Sequence, residues 1–203
     1  MRKLKDISKK KKINFSLIFN ENMGIKLISH KFLNEKQILK IKFKNKEYKF
    51  QLDLIGKIQI KNILMAVLAA NKSGVKFEKI IKILDQIKPV EGRLQKIGNI
   101  KNNSRVILDY AHTPEALELA LKNLKEQFPT SRVNVVFGCG GNRDVKKRFM
   151  MGKIVEKYSD KIFLTDDNPR YENPLKIRKD IKKGIKKREF MNLEIEKGRF
   201  MKQ

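Results

Sequence analysis

The chain has 203 residues, enough for one large or two small domains, and its 40% apolar content can supply a core. Lys and Arg number 48 against 22 Asp and Glu, a formal net charge of +26. A single cysteine, Cys139, excludes an intrachain disulfide framework, and the longest apolar run, residues 63–70, is too short to cross a bilayer.

The charge excess points toward an anionic partner, whether nucleic acid, membrane surface or phosphorylated substrate. Its distribution favours compositional bias and a solvated surface instead. Lysines are scattered over every segment, as an AT-rich, Lys-, Ile- and Asn-rich composition imposes, and only Lys9-Lys10-Lys11-Lys12 forms a run. No arginine-rich helix or aromatic–basic nucleic-acid motif is present. The basic N-terminus is not followed by an apolar stretch of signal-peptide type. The reading is a cytoplasmic, soluble monomer with no nucleic-acid partner and no membrane insertion. A basic nucleic-acid-binding protein is the alternative that charge alone motivates.

Taken in order, residues 1–12 are a charged lead-in. Ile13, Phe15, Leu17 and Phe19 alternate as in a strand, a turn follows at Asn22-Met23-Gly24, and residues 25–28 can return as a second strand. Leu39, Ile41 and Phe43 alternate with lysines, Asn45-Lys46-Glu47 turns the chain, and Tyr48, Phe50, Leu52 and Leu54 alternate again, which predicts a half-buried hairpin. Residues 60–71 predict a buried helix closed near Gly74, and Phe77, Ile80, Ile81, Leu84 and Ile87 a second, amphipathic one. Residues 89–93 then read as a linker.

Beyond the linker the pattern is β-α-β-α-β-α. Buried strands are predicted at residues 106–108, 133–137 and 162–164, with helices after each. Thr113 is the expected N-cap of the first helix, ahead of Pro114, and Asn173-Pro174 start the last. Leu193 and Ile195 can open a fourth strand.

Three strand-to-helix turns carry the polar residues: Asp109-Tyr110-Ala111-His112-Thr113-Pro114, Phe137-Gly138-Cys139-Gly140-Gly141-Asn142-Arg143-Asp144 and Thr165-Asp166-Asp167-Asn168-Pro169-Arg170. In a parallel sheet such turns share one edge, where open α/β folds bind ligands. The glycine turn lacks full G-x-G-x-x-G spacing, so it reads equally as an anion-binding loop or a tight turn. Cys139 has neither histidine near it in sequence to activate it as a nucleophile. Asp166-Asp167 can be a Mg²⁺ pair, or capping chemistry ahead of a proline. Arg170 can grip a carboxylate through two parallel hydrogen bonds; its bland alternative is pairing with an acid such as Glu172.

In this order and spacing, Gly92-Arg93, the Asp109–Pro114 turn, the Phe137–Asp144 turn and Asp167-Asn168-Pro169-Arg170 resemble the Mur ligase family, in its diaminopimelate-adding branch, over about residues 56–184. Gln59 stands where many relatives carry asparagine, and Asn142 where aspartate is common. The resemblance implies a Rossmann-like C-terminal domain with a mostly parallel sheet, preceded by an antiparallel β region and two helices. The expected division is 1–90, the end of a central ATP-binding domain, and 91–203, a truncated C-terminal domain. It implies an ATP- and Mg²⁺-dependent amide-bond ligase adding meso-diaminopimelate to UDP-N-acetylmuramoyl-L-alanyl-D-glutamate. By position, Asn62, Arg93, Asp109 and His112 match ATP-side residues, while Arg143, Asp167, Asn168, Pro169 and Arg170 match those that hold diaminopimelate; no catalytic or metal-ligating residue is assigned. The chain contains no G-x-x-x-x-G-K-[ST] loop and no Lys-Gly-His-Glu segment, so a fragment inactive by itself is expected, its β-rich third exposing apolar surface. Two alternatives stay open: a lysine-adding ligase, or a module that keeps only the amino-acid pocket.

Overall fold

The structure is a computed structural model that describes residues 24–101, 104–186 and the backbone of 190–192. The strand expected at residues 13–19 and the start of one at Leu193 lie outside the described residues. The chain divides into two compact units, Met1–Val106 and Ile107–Gln203.

In the first unit, β1 (Lys26–Leu33), β2 (Lys36–Phe43) and β3 (Lys46–Leu52) form an antiparallel sheet in that order. Phe43 pairs with Lys46, so the hairpin turn is Lys44-Asn45, one residue earlier than the sequence suggested. Both turn residues have positive φ, 45° and 63°, the two-residue geometry whose twist matches that of the flanking strands. Alternation places Leu39, Ile41, Phe50 and Leu52 on the buried face. The helix α1 (Ile58–Lys72) closes that face with Ile60, Leu64, Val67 and Leu68. The inner face is thereby packed into a core of its own, while Ile28 and Leu33 of β1 stay exposed. Gln37, fully buried, donates to Leu54 O at 2.7 Å and Gly56 O at 3.2 Å, tying the sheet to the entry of α1.

The predicted second helix is split. α2 covers only Phe77–Ile81, and Leu84–Gln86 is a 3₁₀ turn. Phe77, Ile80 and Leu84 are buried as their spacing requires, but the bonds from Ile83 N–H to Ile80 O and from Gln86 N–H to Ile83 O are of i→i+3 type. Periodicity reports which face is buried and does not distinguish the two ladders.

β4 (Gln95–Ile100), which the sequence reading missed, neighbours β5 (Ser104–Leu108) in a two-stranded sheet. β5 is the strand expected at 106–108, but Val106 and Leu108 are exposed, not buried, as are Ile97 and Ile100. A two-strand ribbon has few neighbours to cover its faces.

The second unit contains α3 (Pro114–Gln127), β6 (Asn134–Phe137), α4 (Lys146–Tyr158), β7 (Lys161–Leu164), α5 (Pro174–Lys182) and β8 (Phe190–Asn192). The three strands are parallel in the order β6-β7-β8, with Val135 opposite Ile162 and Ile162 opposite Phe190. Leu117 and Leu121 of α3, Met151 and Val155 of α4, and Ile177 and Ile181 of α5 pack with Val135, Ile162 and Leu164. The predicted caps are present: Thr113 Oγ1 accepts from Ala116 N–H at 3.2 Å, and Asn173 Oδ1 from Leu175 N–H at 2.9 Å. α4 and α5 meet backbone to backbone at Gly152, where a Cβ would collide with Ile181 O.

Candidate functional site

The glycine turn and the Asn-Pro-Arg turn follow adjacent parallel strands, β6 and β7, so they leave the sheet side by side at its carboxyl edge. They interlock through backbone. Gly141 N–H donates to Asn168 O at 2.8 Å, and Tyr171 N–H to Asn142 Oδ1 at 3.0 Å. A Cβ on Gly141 would overlap Pro169 O, and one on Gly140 would sit 2.9 Å from the Arg170 guanidinium. The glycines are thus explained by one turn pressing on the other. Their side-chain-free backbone faces protein, which favours the tight-turn reading over the anion loop.

Arg170 stands at the tip with φ of 49°, a conformation non-glycine residues rarely adopt. Its own N–H donates to Asn168 Oδ1 at 3.1 Å. Its Nη1 donates to Gly141 O at 2.9 Å and reaches Asn168 O at 3.4 Å. Among the described residues Nε and Nη2 have no partner, so one edge of the planar fork is anchored and the other is open. Glu172, the acid next in reach along the chain, belongs instead to Arg148, and the bland alternative for Arg170 fails.

Arg148 is the residue that sequence reasoning missed. It lies in the first turn of α4, fully buried, and holds Glu172 with two bonds, Nη2 to Oε1 at 2.8 Å and Nη1 to Oε2 at 2.9 Å. Its Nη1 also reaches Asp180 at 3.3 Å. Glu172 Oε1 accepts in addition from Asn142 N–H. The Arg148 guanidinium first, and the Asn142 N–H second, hold the Glu172 carboxyl below its ordinary value. Asp180 is held low mainly by Lys183, then by Arg148. The available signal was an arginine spaced like a core residue of α4, on the face of Met151 and Val155.

Asp166 is ion-paired with Arg178 of α5, itself 6% exposed. One carboxylate of the candidate Mg²⁺ pair is therefore already neutralised, and no cluster of three or more His, Cys, Asp or Glu suited to a metal occurs among the described residues. Asp167, Asn168 and Pro169 lie in the interlocked turn, Asp167 exposed. Cys139 is buried against Met151, and burial pushes its thiol up to about 11.

Arg143 lines a cleft of about 350 Å³ with His112, Thr113, Pro114, Glu115, Asp144, Lys147 and Met150. Its guanidinium has no partner among the described residues. Lys147, also unforeseen, donates to His112 O at 3.0 Å and so joins the first turn to the start of α4. His112 Nδ1 lies 3.1 Å from Tyr110 O, and Asp109 Oδ1 accepts from Ala111 N–H at 2.9 Å. Arg143, His112 and Asp109 thus belong to the second unit together with Arg170. Asn62 and Arg93 lie in the first unit, where Gln59 links them: Asn62 Nδ2 donates to Gln59 Oε1, and Gln59 Nε2 to Arg93 O, both at 3.2 Å.

Parallel strands alternating with helices, their ends carrying a locked glycine turn and an open arginine fork, define an α/β domain. The chain belongs to the Mur ligase family: residues 92–198 match the profile of the Mur ligase, glutamate ligase domain. It is similar to the UDP-N-acetylmuramoyl-L-alanyl-D-glutamate--2,6-diaminopimelate ligase of Rickettsia felis, 42% identical over 193 residues, or 89% of this chain and 36% of that protein. The ligase of that name from a Chelativorans species is 38% identical over 80% of this chain and 33% of its own length. The chain therefore spans about a third of the length of these relatives. A solved ligase of that name superposes with a TM-score of 0.61 at 26% identity, over 86% of this chain and 36% of its own. The folylpolyglutamate synthase of Mycobacterium tuberculosis, complexed with ADP and AMPPCP, gives 0.72 at 17% identity over 94% of this chain and 42% of its own, a likeness of fold. No helix among the described residues is long and apolar enough to cross a membrane.

Proposed function

We propose that this chain is the part of an ATP-dependent acid–amino-acid ligase that receives the incoming amino acid, meso-diaminopimelate, for attachment to UDP-N-acetylmuramoyl-L-alanyl-D-glutamate in peptidoglycan synthesis. The observation that carries the reading is Arg170: Nη1 is spent on Gly141 O and Asn168 O, and the Nε–Nη2 edge remains for a ligand. That edge matches the two oxygens of a carboxylate. Arg143, with its guanidinium unpaired, supplies a second cationic group in the same unit for another carboxylate of the amino acid.

In the reaction, the terminal carboxylate of the nucleotide substrate takes the γ-phosphoryl group of ATP. The amine of the amino acid then attacks the acyl phosphate, and phosphate leaves as the amide forms. The residues of this chain bind and orient the amino acid, whose distal carboxylate Arg170 grips and whose amine is thereby aimed. Asn62, Arg93, Asp109 and His112 are assigned to the ATP side by the family resemblance alone. Mg²⁺ belongs to such a phosphoryl transfer, but no residue described here is assigned to it. A lysine-adding ligase is disfavoured because lysine lacks the second carboxylate that the open fork suits.

Titration of the ¹⁵N-labelled chain with meso-diaminopimelate and, separately, lysine tests the reading. Diaminopimelate is expected to shift the amide resonances of Gly141, Asn142 and Tyr171 saturably, and lysine to leave them in place. Equal responses to both, or none to either, overturns it.

A further inference from the structure

The turn that carries Arg170 is held at both ends by a buried arginine. At its start, Asp166 is paired with Arg178, 6% exposed; at its end, Glu172 is gripped by Arg148, fully buried, with two bonds. The two arginines come from α5 and α4, which are locked together where Gly152 meets Ile181 O and where Asp180 of α5 reaches Arg148. Between the anchored ends the backbone takes an unfavourable path, since Arg170 has a φ of 49° and faces Asn142 at 50°. Such conformations persist only where the surroundings over-determine them.

Stability is a poor explanation for this arrangement. A buried ion pair contributes little more than apolar residues of equal volume, because desolvation offsets the attraction. Arg148 even leaves its Nε buried without a protein partner. What an arginine supplies that a methionine does not is fixed, two-pronged geometry. Here that geometry sets Glu172, whose Oε1 takes the Asn142 N–H, whose Oδ1 in turn takes the Tyr171 N–H beside Arg170.

We infer that Arg148 and Arg178 are positioning residues that clamp the 166–172 turn and so aim the open edge of Arg170, setting the choice of amino acid without touching it. This rests on the diaminopimelate reading for its ligand but not for its geometry. Both side chains are buried, and both act through the acids they hold.

The test uses the 203-residue chain with Arg148→Met combined with Glu172→Leu, which replaces the pair by apolar volume, and separately Arg178→Lys. Readouts are amide exchange at Gly141 and Tyr171, thermal midpoint, and the ratio of meso-diaminopimelate to lysine affinity. Exchange at both amides is expected to quicken by about tenfold or more as the local opening becomes easier. The affinity ratio is expected to fall about tenfold, while the midpoint of the double variant stays near the parent's. Unchanged exchange in Arg178→Lys overturns the clamp, whether or not the double variant folds. Faster exchange with an unchanged affinity ratio overturns its role in selection. If the parent itself shows no preference for diaminopimelate but exchange quickens, the substrate reading fails and the clamp stands.

Discussion

Arg170→Ala is the substitution on which the assignment of this site turns. The side chain makes one good bond to the opposite turn, Nη1 to Gly141 O at 2.9 Å, and leaves Nε and Nη2 to the ligand. A hydrogen bond involving a charged group contributes about 1.5–3 kcal/mol, and because Arg170 is exposed before ligand binds, the lower end applies to each of the two. Their loss is therefore worth about 3 kcal/mol, or roughly two orders of magnitude in affinity for meso-diaminopimelate. Lysine affinity should hardly change, since lysine has no carboxylate there to lose. Arg170→Lys should recover little, because an ammonium cannot make two parallel bonds. Calorimetric titration with the two amino acids measures the difference. In an intact ligase carrying this segment, the same change should appear in the KM for diaminopimelate and not in that for ATP. A variant that binds diaminopimelate within about twofold of the parent, inside the usual additivity error, refutes the assignment.

Three further outcomes follow from the packing. Gly141→Ala forces a Cβ into Pro169 O and should cost about 2–3 kcal/mol, seen as a drop of about 4–12 °C in thermal midpoint; an unchanged midpoint would mean that the turns do not interlock as described. Glu172 has a folded pKa below the ordinary 4.5, so its contribution to stability is complete above that value and is lost as pH falls through the depressed one; the clamp should be indifferent to pH between about 6 and 8 and weaken in acid, and Arg148→Met should flatten that acid dependence in urea titrations run from pH 3 to 7. Cys139, buried with its thiol pushed up to about 11, should resist a disulfide exchange reagent at pH 7.5 in the native chain and react fully in denaturant, and rapid native labelling would place it outside the core.

Short-range chemistry was legible in the sequence. Thr113 before Pro114 and Asn173 before Pro174 cap their helices because cap geometry depends on a few adjacent residues. Alternation at Leu39 and Ile41, and four-residue spacing at Ile177 and Ile181, identified buried faces because burial follows the period of the element. The meeting of the glycine and Asn-Pro-Arg turns was also predictable, since parallel strands put their following turns on one edge.

Only the tertiary structure assigned partners. Nothing in the order of residues says that Glu172 pairs with Arg148, 24 positions away, and not with Arg170, two away. Nor does it say that Asp166 is spent on Arg178, or that β5 neighbours β4 with Val106 and Leu108 left exposed. The sequence determines which groups must find partners; which partner each finds depends on the packing of α4 and α5 at Gly152 and Ile181. That packing brings Arg148 and Asp180 together and leaves Arg170 with one open edge, because a buried charge takes the nearest acid in space, whatever the distance along the chain.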